Sequence, residues 1–362
     1  MTSPELEKLR FEINKVNAEL LRLLARRGTL VEEIGRLKQT KRIDMYDPVR
    51  EAEQLGAIVE QNPGPFSDAT IKHLFTEIFR ASLDLMYGNR EKGLRVSRAF
   101  RREDTVFEVG GVTIGGEAQL IAGPCSVESE DQLMRTAAHV ASRGVRLLRG
   151  GAHKPRTSPY SFQGIGDEGY RWMAKAAKTY GMVSVSEVMD EAGVAAAAPH
   201  IDILQIGARN MANFRLLEAV REVGKPVLLK RGIAATYEEL LFAAEYLIAG
   251  TDKIILCERG IRTFETWTRN TLDIAAVPIL RGASHLPVCV DVSHAAGRKD
   301  ILAPLARAAL ASGANLVMCE VHPAPDFALS DSHQQLDFDQ FDDLCREIAA
   351  LCPACCDSGK IT

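Results

Sequence analysis

Four residues near the ends of apolar runs carry the donor atoms of a metal site: Cys125, His294, Glu320 and Asp331. They lie in Ala-Gly-Pro-Cys-Ser, Asp-Val-Ser-His-Ala, Met-Cys-Glu-Val-His-Pro and Ala-Leu-Ser-Asp-Ser. A thiolate, an imidazole and two carboxylates suit a first-row divalent transition metal. Taken singly, each has a plainer reading. Free cysteines are commonly buried in cores, and a lone histidine is more often structural. A carboxylate closing an apolar strand, however, is costly unless something pairs with it. Together the four favour a metal. Six cations are interspersed: Arg149, Lys154, Arg156, Arg209, Lys230 and Arg259. A metal ringed by cations suggests two phosphorylated substrates joined around it.

The densest stretch is Leu147–Tyr160, where Arg149, Lys154 and Arg156 fall within eight residues beside Gly150 and Gly151. Cations with glycines that permit close backbone approach make an anion site. Gly164-Ile165-Gly166-Asp167-Glu168-Gly169 matches the dinucleotide fingerprint as a string, with Glu187 near the position of a ribose-binding acid. That fingerprint needs a strand running into its first glycine. The preceding residues, Pro155 to Gln163, hold two prolines and no apolar run, so a dinucleotide site is not expected. Cys352-Pro353-Ala354-Cys355-Cys356 resembles half a zinc site without a second ligand pair, and no role is expected for it.

These residues need a scaffold. Short apolar runs recur at 119–122, 145–148, 182–185, 203–206, 227–229, 254–256, 288–290 and 316–318, with helical patterns between them. Eight strands alternating with helices predict an α/β fold, a (β/α)8 TIM barrel spanning 105–350. Such a barrel carries its active site at the C-terminal strand ends. Cys125, Arg149, Glu187, Arg209, Lys230, Arg259, His294 and Glu320 cluster there. Thr105–Ile114, with Gly110-Gly111 at its centre, reads as a hairpin.

Ahead of the barrel, residues 5–38 space apolar side chains by three and four (Leu6, Leu9, Ile13, Val16, Leu20, Leu23, Leu30, Ile34, Leu37), predicting one long amphipathic helix. Its length calls for a covering helix from a second protomer. Asp47-Pro48 opens a second helix, Asn62-Pro63-Gly64-Pro65 breaks the chain, and Ser67 caps a third that reaches about Tyr87. Residues 1–88 thus form a small all-α unit. Residues 89–104, rich in Arg and Lys, read as a solvated linker, and 351–362 as a tail.

Composition narrows the classes. The 362-residue chain is 46% hydrophobic and 25% charged with net charge -4, which excludes a global basic field for nucleic acid. Eight cysteines are too sparse for a disulfide framework. Neither an apolar signal core at the N-terminus nor a run near the ~20 residues of a membrane span is present. A cytoplasmic protein is expected, with no nucleic-acid or membrane partner.

On Ala-Gly-Pro-Cys-Ser, Arg-Gly-Gly-x-x-Lys-Pro-Arg-Thr-Ser, Gln-Ile-Gly-Ala-Arg-Asn, Leu-Lys-Arg-Gly, Glu-Arg-Gly-Ile-Arg-Thr-Phe and Asp-Val-Ser-His-Ala, residues ~105–340 resemble the 3-deoxy-D-arabino-heptulosonate 7-phosphate (DAHP) synthases. Residues 5–87 are similar to the all-helical chorismate mutases. The resemblance implies condensation of phosphoenolpyruvate with erythrose 4-phosphate, the first step of the shikimate pathway. Cys125, His294, Glu320 and Asp331 would carry a divalent metal, manganese first among several candidates, which would polarise the aldehyde. Arg149, Lys154, Arg209, Lys230 and Arg259 would hold phosphoenolpyruvate, and Arg156 and Thr157 the aldose phosphate. Lys154 would protonate the developing alkoxide, and Glu187 would orient the water that adds at carbon 2. A same-fold alternative is the 8-carbon sugar-acid synthase that uses arabinose 5-phosphate. The expected assembly is a homo-oligomer, a tetramer built from dimers.

Chorismate rearrangement needs a compact conformer held by cations and a donor at the breaking ether oxygen. Arg27 and Lys38 lie eleven residues apart on one helix, ~20° from the same face at 100° per residue. Arg10 lies about 100° from Arg27 and is expected to serve a pocket on the facing protomer. Carried over from the mutases, Arg10, Arg27, Lys38, Asp47, Arg50, Glu51 and Ser82 match pocket positions. One position departs. Met86 stands four residues after Ser82, where the family usually has Gln, so a donor near the ether oxygen is missing, a role Lys38 could still serve, while the carboxylate-binding cations remain. An active mutase, a chorismate or prephenate sensor that inhibits the barrel, and a plain dimeriser are the three readings of this unit.

Overall fold

The computed structural model describes residues 3–41, 47–87, 94–154 and 160–351. The chain divides into two units at Leu94/Arg95.

The first unit is three helices: α1 (Pro4–Lys41), α2 (Pro48–Glu60) and α3 (Asp68–Tyr87). Asp47 caps α2 by accepting from the Arg50 backbone N–H, with Pro48 in the first turn. Ser67 does the same for α3 through the Thr70 N–H at 3.2 Å. Within this unit, α1 leaves Leu9, Ile13, Val16, Leu20, Leu23, Leu30, Ile34 and Leu37 exposed along its length. So long an apolar stripe is a covering surface for another helix.

The second unit opens with a hairpin, β1 (Phe107–Val109) and β2 (Val112–Ile114), followed by eight parallel strands. These are β3 (Gln119–Gly123), β4 (Leu147–Arg149), β5 (Val183–Val188), β6 (Ile203–Ile206), β7 (Val227–Lys230), β8 (Ile254–Glu258), β9 (Val288–Asp291) and β10 (Leu316–Glu320). They close in sequence order, β10 pairing back onto β3. The α-helices around them are α4 (Glu130–Ser142), α5 (Asp167–Tyr180), α6 (Glu191–Ala197), α7 (Phe214–Val223), α8 (Tyr237–Ile248), α9 (Ala276–Ala283), α10 (Val292–Ala296), α11 (Leu302–Ala311) and α12 (Phe338–Ile348). Several of their starts are fixed by short polar caps, among them Ser129, Asp190 and the capping boxes at Thr236 and Asp337. The barrel core is built from Ile121, Leu147, Val183, Ile203, Leu228, Ile255, Cys257, Cys289, Leu316 and Met318, and the hairpin seals it with Phe107, Val112 and Ile114. Its opposite end is left for chemistry.

Two expectations change. The expected linker is anchored over 95–98, while most of 99–104 is exposed. Val96 is fully buried, its N–H and that of Arg95 donate to the Glu245 carboxylate, and Arg98 donates to the Arg281 carbonyl. Backbone pairing and buried apolar groups outweigh the charged composition of the segment. Residues 88–93 lie outside the described residues. In addition, β5 runs to Val188 rather than stopping at Val185, so Glu187 belongs to the strand.

Candidate active site at the barrel mouth

The strand ends converge because small residues let them. At the end of β3, Gly123 has φ 150, and a Cβ there would lie 2.1 Å from the Arg149 carbonyl oxygen. That contact brings the Cys125 turn against the end of β4. Arg149 Nη2 and Lys154 Nζ then donate to the Cys125 carbonyl at 3.1 and 2.9 Å, and Lys154 Nζ lies 3.1 Å from Cys125 Sγ. Across β6, a Cβ at Gly207 would overlap Glu187 Oε1, so the glycine gives that carboxylate its place.

Cys125, His294, Glu320 and Asp331 come together, each offering one ligand atom, with these atoms all within 4.8 Å of one another. Bonds of ~2.0–2.3 Å from one ion would span such a set, and its S, N, O, O composition matches the chemistry of a transition metal. Asp291, at the end of β9, caps α10 and accepts from His294 Nδ1 at 2.8 Å. This leaves Nε2 as the coordinating atom, a usual device for ligating histidines. Asp291 also binds Lys230 at 2.5 Å. Burial, reinforced by Glu320, pushes the Cys125 thiol up to about 12. Glu320 is held below the usual carboxylate range; burial opposes this, but His294, Arg149 and Lys154 outweigh it.

Above the cluster opens a cavity of about 400 Å³ lined by Lys154, Glu187, Arg209, Lys230, Arg259 and Arg269, among others. Burial, then repulsion from Arg269 and Arg209, pulls the Arg259 guanidinium below its usual value against the attraction of Asp291. So much buried positive charge calls for anions. Arg149 does not line this cavity; it sits beneath, bonded to Glu320 at 2.8 Å, with its buried Nε unpartnered among the described residues. Arg156 and Thr157 lie outside the described residues, as do Cys352, Cys355 and Cys356. Gly164 pairs antiparallel with His153 in the loop after β4, and among the described residues no strand feeds the glycine motif.

Some contributors were not foreseen. Asp291 sits three residues before His294, a helix-capping spacing that was legible. Arg262 lies inside the recognised Glu-Arg-Gly-Ile-Arg-Thr-Phe motif but was given no role, whereas Arg269 follows it, and nothing in its local pattern separates it from a surface arginine.

In the helical unit, Arg27 meets the buried Ser82, whose hydroxyl donates to the Ile78 carbonyl, and the guanidinium lies 5.0 Å from the centre of the Phe79 ring. Desolvation lowers the Arg27 pKa. Lys38 and Glu51 are half-buried and Arg50 is exposed. Arg10 is exposed, paired with Glu7 at 3.0 Å. Seventeen residues of helix place it roughly 25 Å from Arg27, too far to share a small-molecule pocket within one protomer.

The comparisons with known proteins agree on the barrel. Residues 95–351 match the model of the DAHP synthetase I family. The chain belongs to that family. Residues 9–87 match chorismate mutase type II, so a mutase-type domain precedes the synthase. The chain is 56% identical over 261 residues to phospho-2-dehydro-3-deoxyheptonate aldolase of Thermotoga maritima, covering 72% of this chain and 77% of that one. The 2-dehydro-3-deoxyphosphooctonate aldolase of Acidithiobacillus ferrooxidans is 32% identical over 248 residues, 63% of this chain and 86% of the other. Among solved structures, the DAHP synthase of T. maritima aligns with a TM-score of 0.69 at 55% identity, over 72% of this chain and 76% of that one. Its truncated form aligns at 0.67 and 51% identity, over 72% and 96%. DAHP synthases are metal-dependent, and the described residues contain a cluster able to hold a metal. No helix among the described residues is long and apolar enough to cross a membrane.

Proposed function

We propose that the barrel condenses phosphoenolpyruvate with erythrose 4-phosphate at its mouth, in the cytoplasm, and that Cys125, His294, Glu320 and Asp331 hold the ion, manganese by preference. The carrying observation is the juxtaposition of that four-ligand cluster with a cation-lined cavity: His294 and Asp331 line the cavity themselves, and Lys154 lines it while touching Cys125 Sγ. When bound, the metal supplies Lewis acidity to the aldehyde. The remaining work falls to side chains. Arg209, Lys230 and Arg259 bind the phosphate and carboxylate of phosphoenolpyruvate, and the spare Nε of Arg149 offers a further donor from below. Arg156 and Thr157 take the aldose phosphate. Holding two anions in one cavity converts a bimolecular encounter into an oriented attack. Lys154 delivers the proton that turns the developing alkoxide into the new hydroxyl, and Glu187, held by Gln205 at 3.3 Å, orients water toward carbon 2.

The helical unit binds chorismate or prephenate in a pocket completed by a second copy, with Arg27, Lys38, Asp47, Arg50, Glu51 and Ser82 from one protomer and Arg10 from the other. The exposed stripe of α1 supports such a dimer, and a tetramer follows if the barrels also pair. Met86 leaves the breaking ether oxygen without the usual donor. Binding that regulates the barrel is therefore the unit's stronger contribution, with mutase turnover the weaker. Supplying erythrose 4-phosphate and arabinose 5-phosphate in parallel, and following chorismate absorbance in the same preparation, tests both halves. Preferred use of the five-carbon sugar would overturn the first. Chorismate that neither binds nor turns over would overturn the second.

A further inference from the structure

Two adjacent glutamines outside the ligand set are fully buried beside it, Gln334 and Gln335. Gln335 accepts from the Cys125 N–H at 2.9 Å and donates to the Ser330 carbonyl at 2.8 Å, tying two ligand-bearing turns together. Gln334 acts on the ligands themselves. Its Nε2 donates to Glu320 Oε2 at 2.6 Å and lies 3.5 Å from Asp331 Oδ2. Its Oε1 accepts from Arg269 Nη1 at 2.9 Å. A guanidinium can only donate, so the amide oxygen must face Arg269 and the NH2 must face the carboxylates. Both amide hydrogens are thus directed at carboxylates of the cluster.

The need for such a clamp is visible on each carboxylate. Glu320 Oε1 is already held by Arg149 at 2.8 Å and faces His294 Nε2 at 3.4 Å. Without a donor at Oε2, the group is free to turn both oxygens onto Arg149. Asp331 is the one non-glycine among the described residues with positive φ, at 47°. A residue in that region persists only where its surroundings hold it. The Gln334 N–H donates to the Asp331 carbonyl at 3.2 Å, closing the turn that sets this conformation. Arg269, which also binds Asp331 Oδ2 at 3.1 Å, locks the far side of the amide.

We propose that Gln334 is a positioning residue for the metal. It presents Glu320 and Asp331 to a common centre against their mutual repulsion, and so sets the affinity and geometry of the bound ion. The inference rests on reading the four-residue cluster as a metal site. Outer hydrogen bonds of this kind typically carry ~10–100-fold in metal affinity.

The test uses the full chain stripped of metal. Mn2+ is titrated in competition with a metallochromic chelator, and the visible spectrum is recorded after loading with Co2+. Gln334→Met keeps length and volume but loses both donors. It is expected to weaken Mn2+ binding by ~10–100-fold and to shift the cobalt ligand-field bands. Gln334→Glu, which keeps the pairing with Arg269 but offers no donor to the carboxylates, should do the same, and it carries the test if the Met variant does not fold. Affinity and cobalt bands indistinguishable from the parent's would overturn the proposal. So would a lowered melting temperature with unchanged bands, the mark of a merely structural role. Absence of saturable Mn2+ binding by the parent itself would instead bring down the metal reading on which this one stands.

Discussion

The two units handle charge in opposite ways. In the barrel, Arg149, Lys230, Glu258, Asp291 and Glu320 are buried and each has a partner of opposite sign within 3 Å. Burying charge is costly unless it is paired, and removing one partner strands the other. The barrel therefore presents a ligand set and an anion cavity within a single chain. In the helical unit, Arg10 and Arg50 are exposed, and an apolar stripe runs the length of α1. Here Arg27 meets Ser82 in a part-buried contact. The difference sets a unit whose charges are paired within its own fold against one that leaves its cations and an apolar stripe exposed.

Lys154→Ala should have the largest effect. It removes the cation that touches both the Cys125 thiol and the cavity, so kcat of the condensation should fall by ~10²–10⁴, read as loss of phosphoenolpyruvate absorbance. Chorismate binding by the helical unit should not change. Replacing Leu20 and Leu23 together by Asp places charge in the α1 stripe. It should abolish chorismate binding and dimerisation through that helix, while condensation survives; loss of both functions together would show that the barrel also depends on that contact. Arg27→Ala is the smaller change of the two in this unit. A hydrogen bond to a charged group is worth about 1.5–3 kcal/mol, so chorismate affinity measured by calorimetry should drop by roughly 10–100-fold, with condensation untouched.

Much of this was legible because the barrel repeats a simple pattern. Each apolar run at 119–122, 203–206 or 254–256 is a strand, and the residue types at the strand ends announce their chemistry. What was illegible depends on distance in space. Ser186 and Glu187 are polar, so the β5 pattern seemed to end at Val185, yet a barrel strand can bury such groups where hydroxyls find carbonyls, as Ser186 does on Gly150 at 2.7 Å. Residues 95–98 read as solvent-facing because charge was counted without their partners, the Glu245 carboxylate for the Val96 N–H and the Arg281 carbonyl for the Arg98 side chain. Gln334 carries no signal of its own. Fourteen residues beyond Glu320, it matters only because the loop returns it to that carboxylate. In the helical unit the periodicity of α1 gave both the helix and its unpaired face, since one stripe of apolar residues specifies both.

The central claim is that condensation is metal-dependent and runs in a site the barrel completes alone. The most direct test follows phosphoenolpyruvate consumption with erythrose 4-phosphate after exhaustive chelation, then during stepwise return of Mn2+. The account predicts no turnover in the stripped protein and full recovery when one ion per chain is bound. Undiminished turnover with chelator present would contradict it.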